Sequence, residues 1–173
     1  MSIRKDKMQK IIFLDIDGPV INTPCYWVDA YASLQRSVMN TQSIGIVNQI
    51  CKLTGAKIVT NSTHNNITVR ETGRTLRQDL IKWGLKEDHL HENWHSTMPW
   101  PRGRVSAESR SRRMWGIDDW IEHNGEADWI CFDDETFTEN PRLFVIDFDR
   151  GIDYDTYLRV CTFWGMESKV LSL

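Results

Sequence analysis

The feature that most constrains the fold is a short apolar run followed at once by two acidic residues. Residues 11–14 read Ile-Ile-Phe-Leu, and Asp15, Ile16, Asp17 and Gly18 come next. Such a continuous apolar run is typical of a strand buried in a parallel sheet, and ligands of open α/β sheets gather beyond the carboxyl ends of the strands. Two carboxylates are costly to bury without a partner, so the pattern predicts that a cation or a proton holds the site together, and Mg²⁺ is the cation that suits their oxygens.

Strands and helices alternate along the rest of the chain, which predicts an α/β fold with a central parallel sheet. Further strands are predicted at 57–61, around Leu90, at 129–132 and at 143–146. Helices are predicted where apolar residues recur every three or four positions. The residues that mark them are Ile44, Val47, Ile50 and Leu53; Leu76, Leu80 and Trp83; Met114, Ile117, Trp120 and Ile121; and Tyr157, Leu158, Cys161 and Trp164. Gly55 suits the end of the first helix and Asp153 the start of the last.

Composition favours a globular chain that forms a single domain over residues 1–173. Hydrophobic residues make up 40% and charged residues 26%, and the net charge of -3 argues against a dedicated nucleic-acid binder. No apolar stretch approaches the ~20 residues of a membrane span, and the first apolar run is too short for a signal peptide, so we expect no membrane partner and a cytoplasmic protein. The four cysteines are predicted to be buried thiols: Cys25, Cys51, Cys131 and Cys161.

A second strand, far along the chain, also ends in paired acids. Residues 129–132 read Trp-Ile-Cys-Phe, and Asp133 and Asp134 follow. Burying acidic groups costs free energy unless they are paired, so two such strand ends are hard to justify by folding stability alone. The pattern therefore predicts a chemical site.

Four segments resemble, in order, the motifs of the haloacid dehalogenase (HAD) superfamily of phosphatases. They are the first strand with its Asp-x-Asp-Gly, the segment Thr60 to Thr63 after the second strand, an arginine-rich helix start and the Asp133-Asp134 pair. The stretches WGLKEDHLHENWHST, RRMWGIDDWIEHN and WICFDDE look like the small branch described as Swiss-army-knife RNA-repair-like, and the resemblance covers roughly residues 10–165. It implies a three-layer, Rossmann-like fold with a minimal cap.

The resemblance also implies roles for the acidic residues. Asp15 would attack phosphorus and become an aspartyl-phosphate, and Asp17 would act as general acid and base. Mg²⁺ would be held by Asp15, the backbone carbonyl of Asp17 and a carboxylate of Asp133 or Asp134.

In the same family a strand-end hydroxyl and a helix-borne cation bind the substrate phosphate. Ser62, beside Asn61, fits the strand length of relatives, and Thr60, on the same face by the period of two, is the alternative. Arg113 best fits the position of the family's Lys or Arg on the helix, and Arg112 is the alternative. A guanidinium suits phosphate oxygens because its planar fork can bind two of them.

The substrate stays open at this stage. Pro19 replaces the small residue usual after Gly18, and His64 stands where relatives often carry Trp, which bears on substrate choice. We predict a Mg²⁺-dependent phosphomonoesterase acting on a nucleotide or a nucleic-acid end. The alternatives are a small-metabolite phosphatase, for instance for sugar phosphates, and a non-catalytic module that binds nucleic acid or a partner.

Two segments, 18–54 and 63–105, are predicted to be small cap or lid insertions. Tyr26, Trp27 and Tyr31 in the first are candidates to line the entrance, and Trp100 in the second is a candidate to stack a base. The second segment also holds three unevenly spaced histidines without a neighbouring cysteine, which is more typical of surface residues than of a zinc site: His89, His91 and His95.

Overall fold

A five-stranded, all-parallel sheet forms the centre of the molecule, as predicted. The structure, a computed structural model, describes residues 8–32, 38–64, 75–96 and 108–166, with the side chains at 28–32 and 108–111 outside this description. The strands are β1 (Gln9–Leu14), β2 (Lys57–Thr60), β3 (Leu90–His95), β4 (Ala127–Asp133) and β5 (Leu143–Val145). Their order is β3-β2-β1-β4-β5, which puts β1 between β2 and β4. The α/β, Rossmann-like fold is confirmed.

The helices are α1 (Thr23–Ala32), α2 (Thr41–Thr54), α3 (Leu76–Lys82), α4 (Glu108–Asn124) and α5 (Tyr154–Phe163), with a 3-10 turn at Glu87–His89. Their ends follow local capping chemistry. The side chain of Asp153 caps α5 as predicted by accepting the Thr156 N–H, and Gly55 ends α2 in the left-handed conformation that glycine adopts at little cost. Within the described ranges, none of the helices is both long and apolar enough to cross a bilayer.

Each face of the sheet is covered by its own apolar cluster. Ile12 and Leu14 of β1 belong to the larger cluster, which includes α2, α3 and α5, and Ile11 and Phe13 belong to the smaller one, which includes α4. Side chains alternate along a strand, so β1 is buried on both faces. Since residues 11–14 of β1 are buried, its polar groups can meet a ligand at the carboxyl end of the strand, where Asp15 lies.

Two features differ from the expectations. Helix α1 was not predicted, because its mixed sequence lacks a clear apolar stripe. Leu158 of α5, assigned to the buried face, is exposed, while Tyr157 and Cys161 are buried. The buried face of α5 runs through Thr156, Tyr157, Val160 and Cys161, and Leu158 lies outside it.

The predicted buried cysteines are all buried. Within the insertion predicted over 18–54, residues 41–54 form α2 and pack in the larger cluster, and the insertion itself stays a prediction. The insertion predicted over 63–105 stays a prediction, because 65–74 and 97–107, including Trp100, lie outside the described residues.

Candidate active site

The ends of β1 and β4 bring three carboxylates together. Leu14 pairs with Phe132 in the parallel register, and the Asp15 N–H donates to the Phe132 carbonyl over 2.9 Å. Asp15 and Asp133 are therefore neighbours across the sheet edge. Each of Asp15, Asp133 and Asp134 offers a carboxylate oxygen, and these atoms lie within 4.8 Å of one another. We call these three residues the carboxylate cluster.

Arg113, in the first half of α4, lies against this cluster. Its Nη1 is 2.7 Å from Asp15 Oδ2 and also donates to Asp133 Oδ2, and its Nε is 3.9 Å from Glu135 Oε2. The arginine side chain is only 16% exposed. The structure thus places Arg113, the residue favoured over Arg112, beside the predicted nucleophile.

Burial shifts the proton affinities of the cluster. It raises the pKa of Asp15, against the lowering effect of the Arg113 charge and of hydrogen bonds from Ile16 and Ser62. Burial, and then the charge of Asp15, raise the pKa of Asp133 to about 8 and that of Asp134 to about 6. Burial would lower the pKa of Arg113, but the two facing carboxylates keep it above its usual value. One guanidinium is not enough to balance three carboxylates in this setting.

The cluster fits a hard divalent cation. Asp15 Oδ2 is buried and has no well-aligned hydrogen-bond donor, so its contact with Arg113 is an ion pair that leaves acceptor capacity unused. Three carboxylates with excess negative charge are the donor set that Mg²⁺ prefers. Asp133 already uses Oδ2 for Arg113 and Oδ1 for the Glu135 N–H, which favours Asp134 as the more available of the pair.

Gly18 closes the cluster from the β1 side. Its φ is +82°, and its N–H donates to the Ile21 carbonyl over 2.9 Å. A Cβ at this position would lie 2.5 Å from Cβ of Asp134, which is far inside van der Waals contact. Glycine is therefore required here both by the backbone conformation and by the approach of Asp134.

Asp17, two residues after Asp15, has a polar side chain on each of its carboxylate oxygens. Its Oδ1 accepts a hydrogen bond from the Tyr26 hydroxyl at 2.5 Å, and its Oδ2 lies 3.0 Å from His64 Nε2. The predicted role of Asp17 in metal binding concerns its backbone carbonyl and stays a prediction. We call Asp17, Tyr26 and His64 the Asp17 triad.

Sequence reasoning missed the roles of the two partners of Asp17. Tyr26 was assigned only to the entrance and His64 only to substrate choice. The departure from Trp at His64 was the available signal, because a polar residue in place of an apolar one needs a polar partner when it is buried. Trp27, next to Tyr26, is 73% exposed.

The end of β2 positions the predicted phosphate-binding residues differently from one another. Thr60 donates its hydroxyl to the Trp94 carbonyl, so it serves the sheet. Asn61 donates to the Arg113 carbonyl over 3.2 Å and accepts from Ser96, so it holds the start of α4. Ser62 is buried, accepts the His64 N–H and hydrogen-bonds Asp15. Of the two hydroxyls, Ser62 is the one next to Asp15, and the phosphate-binding roles of Ser62 and Asn61 stay predictions.

The three histidines of the 87–95 region have separate surroundings. His89 Nδ1 contacts Asn48 Oδ1, whereas His91 accepts the Asn93 N–H. Among the described residues, the carboxylate cluster is the metal-ligand group that the geometry assembles. A cleft of about 310 Å³ lies between β3 and α4, lined in part by Trp94, His95 and Trp120, and none of the predicted site residues lines it.

The chain belongs to the family of HAD domains in Swiss Army Knife RNA repair proteins, whose family model it matches over residues 11–156. This confirms the resemblance and the fold that it implied. Comparisons with curated proteins and with solved structures return no match.

Proposed function

We propose that this HAD domain is a Mg²⁺-dependent phosphomonoesterase that forms an aspartyl-phosphate on Asp15 and acts on a nucleotide or a nucleic-acid end. The observation that supports this most directly is the carboxylate cluster with Arg113 at the carboxyl ends of adjacent strands. The family points to nucleic-acid chemistry through its description as a domain of RNA repair proteins.

The chain's own residues divide the work of two successive displacements. A carboxylate oxygen of Asp15 forms a bond to phosphorus while the bond to the leaving oxygen breaks, and Asp17 gives that oxygen its proton. Asp17 then takes a proton from water, whose oxygen attacks phosphorus and releases Asp15 and inorganic phosphate.

The phosphoryl group needs positive charge and hydrogen-bond donors close to its oxygens during both steps. Arg113 supplies a fixed guanidinium beside Asp15, and Ser62 supplies a hydroxyl next to the same residue. Mg²⁺, held by Asp15, Asp134 or Asp133 and the Asp17 carbonyl, would neutralise charge on the phosphoryl oxygens.

The test compares wild type with Asp15→Asn on p-nitrophenyl phosphate, with Mg²⁺ and with EDTA. We expect Asp15→Asn to lower kcat by more than about 10⁴-fold, because the nucleophile is gone. The fold should persist, since the change is nearly isosteric. EDTA should stop the wild type and Mg²⁺ restore it.

Asp128→Asn is the matched control, because Asp128 lies near the opposite end of β4 and pairs with Arg142. Its kcat should equal that of wild type. Undiminished turnover by Asp15→Asn would refute the proposal, and an inactive wild type would favour a non-catalytic binding module.

The substrate is tested with nucleoside monophosphates, 3′- and 5′-phosphorylated oligonucleotides and sugar phosphates at equal concentration. Higher kcat/KM for the nucleotide or oligonucleotide esters is expected. A preference for sugar phosphates would replace this part of the proposal with a metabolite phosphatase.

A further inference from the structure

Both carboxylate oxygens of Asp17 are engaged by side chains from other parts of the chain. The Tyr26 hydroxyl in α1 reaches Oδ1 over 2.5 Å, and His64 Nε2, after β2, lies 3.0 Å from Oδ2. We propose that Tyr26 and His64 are positioning residues that fix the Asp17 carboxylate in the orientation needed for proton transfer. This inference rests on the proposed function.

Asp17 needs such support because of where it lies. It is in a turn after β1, and its side chain is 33% exposed, in contrast to the buried Asp15. A carboxylate on a turn samples several rotamers, and an error of about 1 Å in a reacting group can cost about 10²-fold in rate. Two contacts on different oxygens restrict both side-chain torsions.

The two contacts leave Asp17 able to react. An ionised carboxylate has about four lone-pair sites, so these two contacts alone do not use up its capacity to take up or give a proton. His64 Nε2 faces an acceptor, so it carries the proton of this contact when Asp17 is ionised.

Each positioning residue is itself held in place. His64 is buried, and its backbone N–H donates to Ser62 Oγ over 3.3 Å. The Tyr26 ring stacks on Phe148 with centroids 5.7 Å apart. Helix α1 also contacts the segment between β5 and α5 that carries Phe148, because the Thr23 hydroxyl donates to Asp149 Oδ1 over 2.6 Å. The orientation of Asp17 is therefore determined by packing and not by its own turn alone.

The turn after β2 also couples the two reacting acids. Ser62 hydrogen-bonds Asp15, and His64, two residues later, contacts Asp17. One short segment thus sets the position of the nucleophile and of the acid relative to each other.

The test uses substitutions that remove one contact and preserve volume. Tyr26→Phe keeps the ring and its stack on Phe148 but loses the hydroxyl. His64→Leu removes the ring nitrogen, whereas His64→Gln places an amide N–H near the position of Nε2. Tyr154→Phe is the control, because it removes the hydroxyl of an exposed tyrosine in α5 that stacks on Tyr157.

The readout is the dependence of kcat on the leaving group. For phosphate esters of poor leaving groups, such as alkyl alcohols, Tyr26→Phe and His64→Leu should lower kcat about 10- to 100-fold with KM little changed. For p-nitrophenyl phosphate, which needs little protonation, the loss should be less than about 3-fold. His64→Gln should recover most of the loss, and Tyr154→Phe should behave like wild type. A purely structural role would lower kcat equally for both esters.

Asp17→Asn separates the failure of this inference from the failure of the proposed function. If Asp17→Asn loses activity selectively on poor leaving groups while Tyr26→Phe and His64→Leu do not, the positioning role is refuted and the proposed chemistry stands. If Asp17→Asn shows no such selectivity, the acid role itself is wrong, and the positioning role falls with it.

Discussion

The carboxylate cluster and the Asp17 triad are adjacent halves of one candidate site, yet they are built in different ways. Asp15 and Asp133 of the cluster are buried at the ends of central strands and share a single guanidinium. Asp17 is one-third exposed, lies on a turn and is contacted by a hydroxyl and an imidazole. The cluster concentrates like charge, whereas the triad surrounds one charge with hydrogen-bonding groups.

The two halves should therefore differ in their effect on the free energy of unfolding. Like charges in a buried setting destabilise the folded protein unless a cation binds them, so the cluster lowers stability when no cation is bound. The triad costs little, since its acid is partly hydrated and its contacts are local to one side chain. Substitutions in the cluster should therefore change stability and metal binding, and substitutions in the triad should change rate.

The largest expected effect on stability comes from Arg113→Met in the metal-free protein. Removing the guanidinium leaves Asp15 and Asp133 buried without their partner, which we expect to lower the free energy of unfolding by about 3 to 5 kcal/mol. Urea denaturation in EDTA measures it.

Arg77→Met is the control for Arg113→Met, because Arg77 pairs with Glu87 on the surface and exposed pairs contribute at most about 1 kcal/mol. Similar losses in the two variants would contradict the contrast between a buried cluster and ordinary surface charge.

A smaller effect is expected from Gly18→Ala, which lies between the two halves. The new Cβ would adopt an unfavourable φ and press on Asp134, so we expect a loss of about 1 to 3 kcal/mol and weaker Mg²⁺ binding. Thermal unfolding with and without Mg²⁺ measures both.

Gly55→Ala separates the two causes. Gly55 has a similar φ of +74°, but a Cβ there has nothing within 4 Å. It should show the backbone strain without the change in Mg²⁺ binding. If Gly18→Ala keeps the wild-type response to Mg²⁺, Asp134 is not held against the turn as described.

The smallest expected effect is a pH dependence of stabilisation by Mg²⁺. Burial raises the pKa of Asp133 to about 8 and of Asp134 to about 6 in the folded chain, next to Asp15, Arg113 and Glu135. In the unfolded chain both titrate near pH 4, as ordinary aspartates do (pKa about 3.9). The unfolded chain therefore ionises first, and the metal-free folded state loses stability as the pH rises from about 4 to 8.

The proposed Mg²⁺ site uses ionised carboxylates, so the rise in Tm on adding Mg²⁺ should be larger at pH 8 than at pH 6. We expect a difference of about 2 to 4 °C, which corresponds to about 1 kcal/mol in a chain of this size. Asp134→Asn should reduce the difference. An equal Mg²⁺ effect at both pH values in wild type would argue that the cluster is already ionised at pH 6.

Much of the fold could be predicted because its signals are local. Apolar runs gave β1 and β4, and recurring apolar positions gave α2, α4 and α5. Helix α1 could not be predicted, because its apolar residues do not form a single stripe along the helix. Leu158 was assigned to the wrong face, since an apolar residue beside a buried one looks alike in sequence whether it packs or not.

The candidate site divides in the same way. Asp15, Asp133 and Asp134 were predicted from strand ends, and Arg113 and Ser62 from a resemblance in register. The sequence preferred Ser62 to Thr60 by the strand length of relatives, and the period of two places both on one face, so their different hydrogen-bond partners could come only from the structure.

The sequence by itself determined which strands are buried and that two of them end in acids, because apolar runs and the residues after them are properties of neighbouring positions. Only the tertiary structure decided that Tyr26 and His64, 9 and 47 residues from Asp17, meet its carboxylate. These contacts depend on how α1 and the turn after β2 pack around the edge of the sheet, and a pattern of neighbouring residues carries no information about that packing.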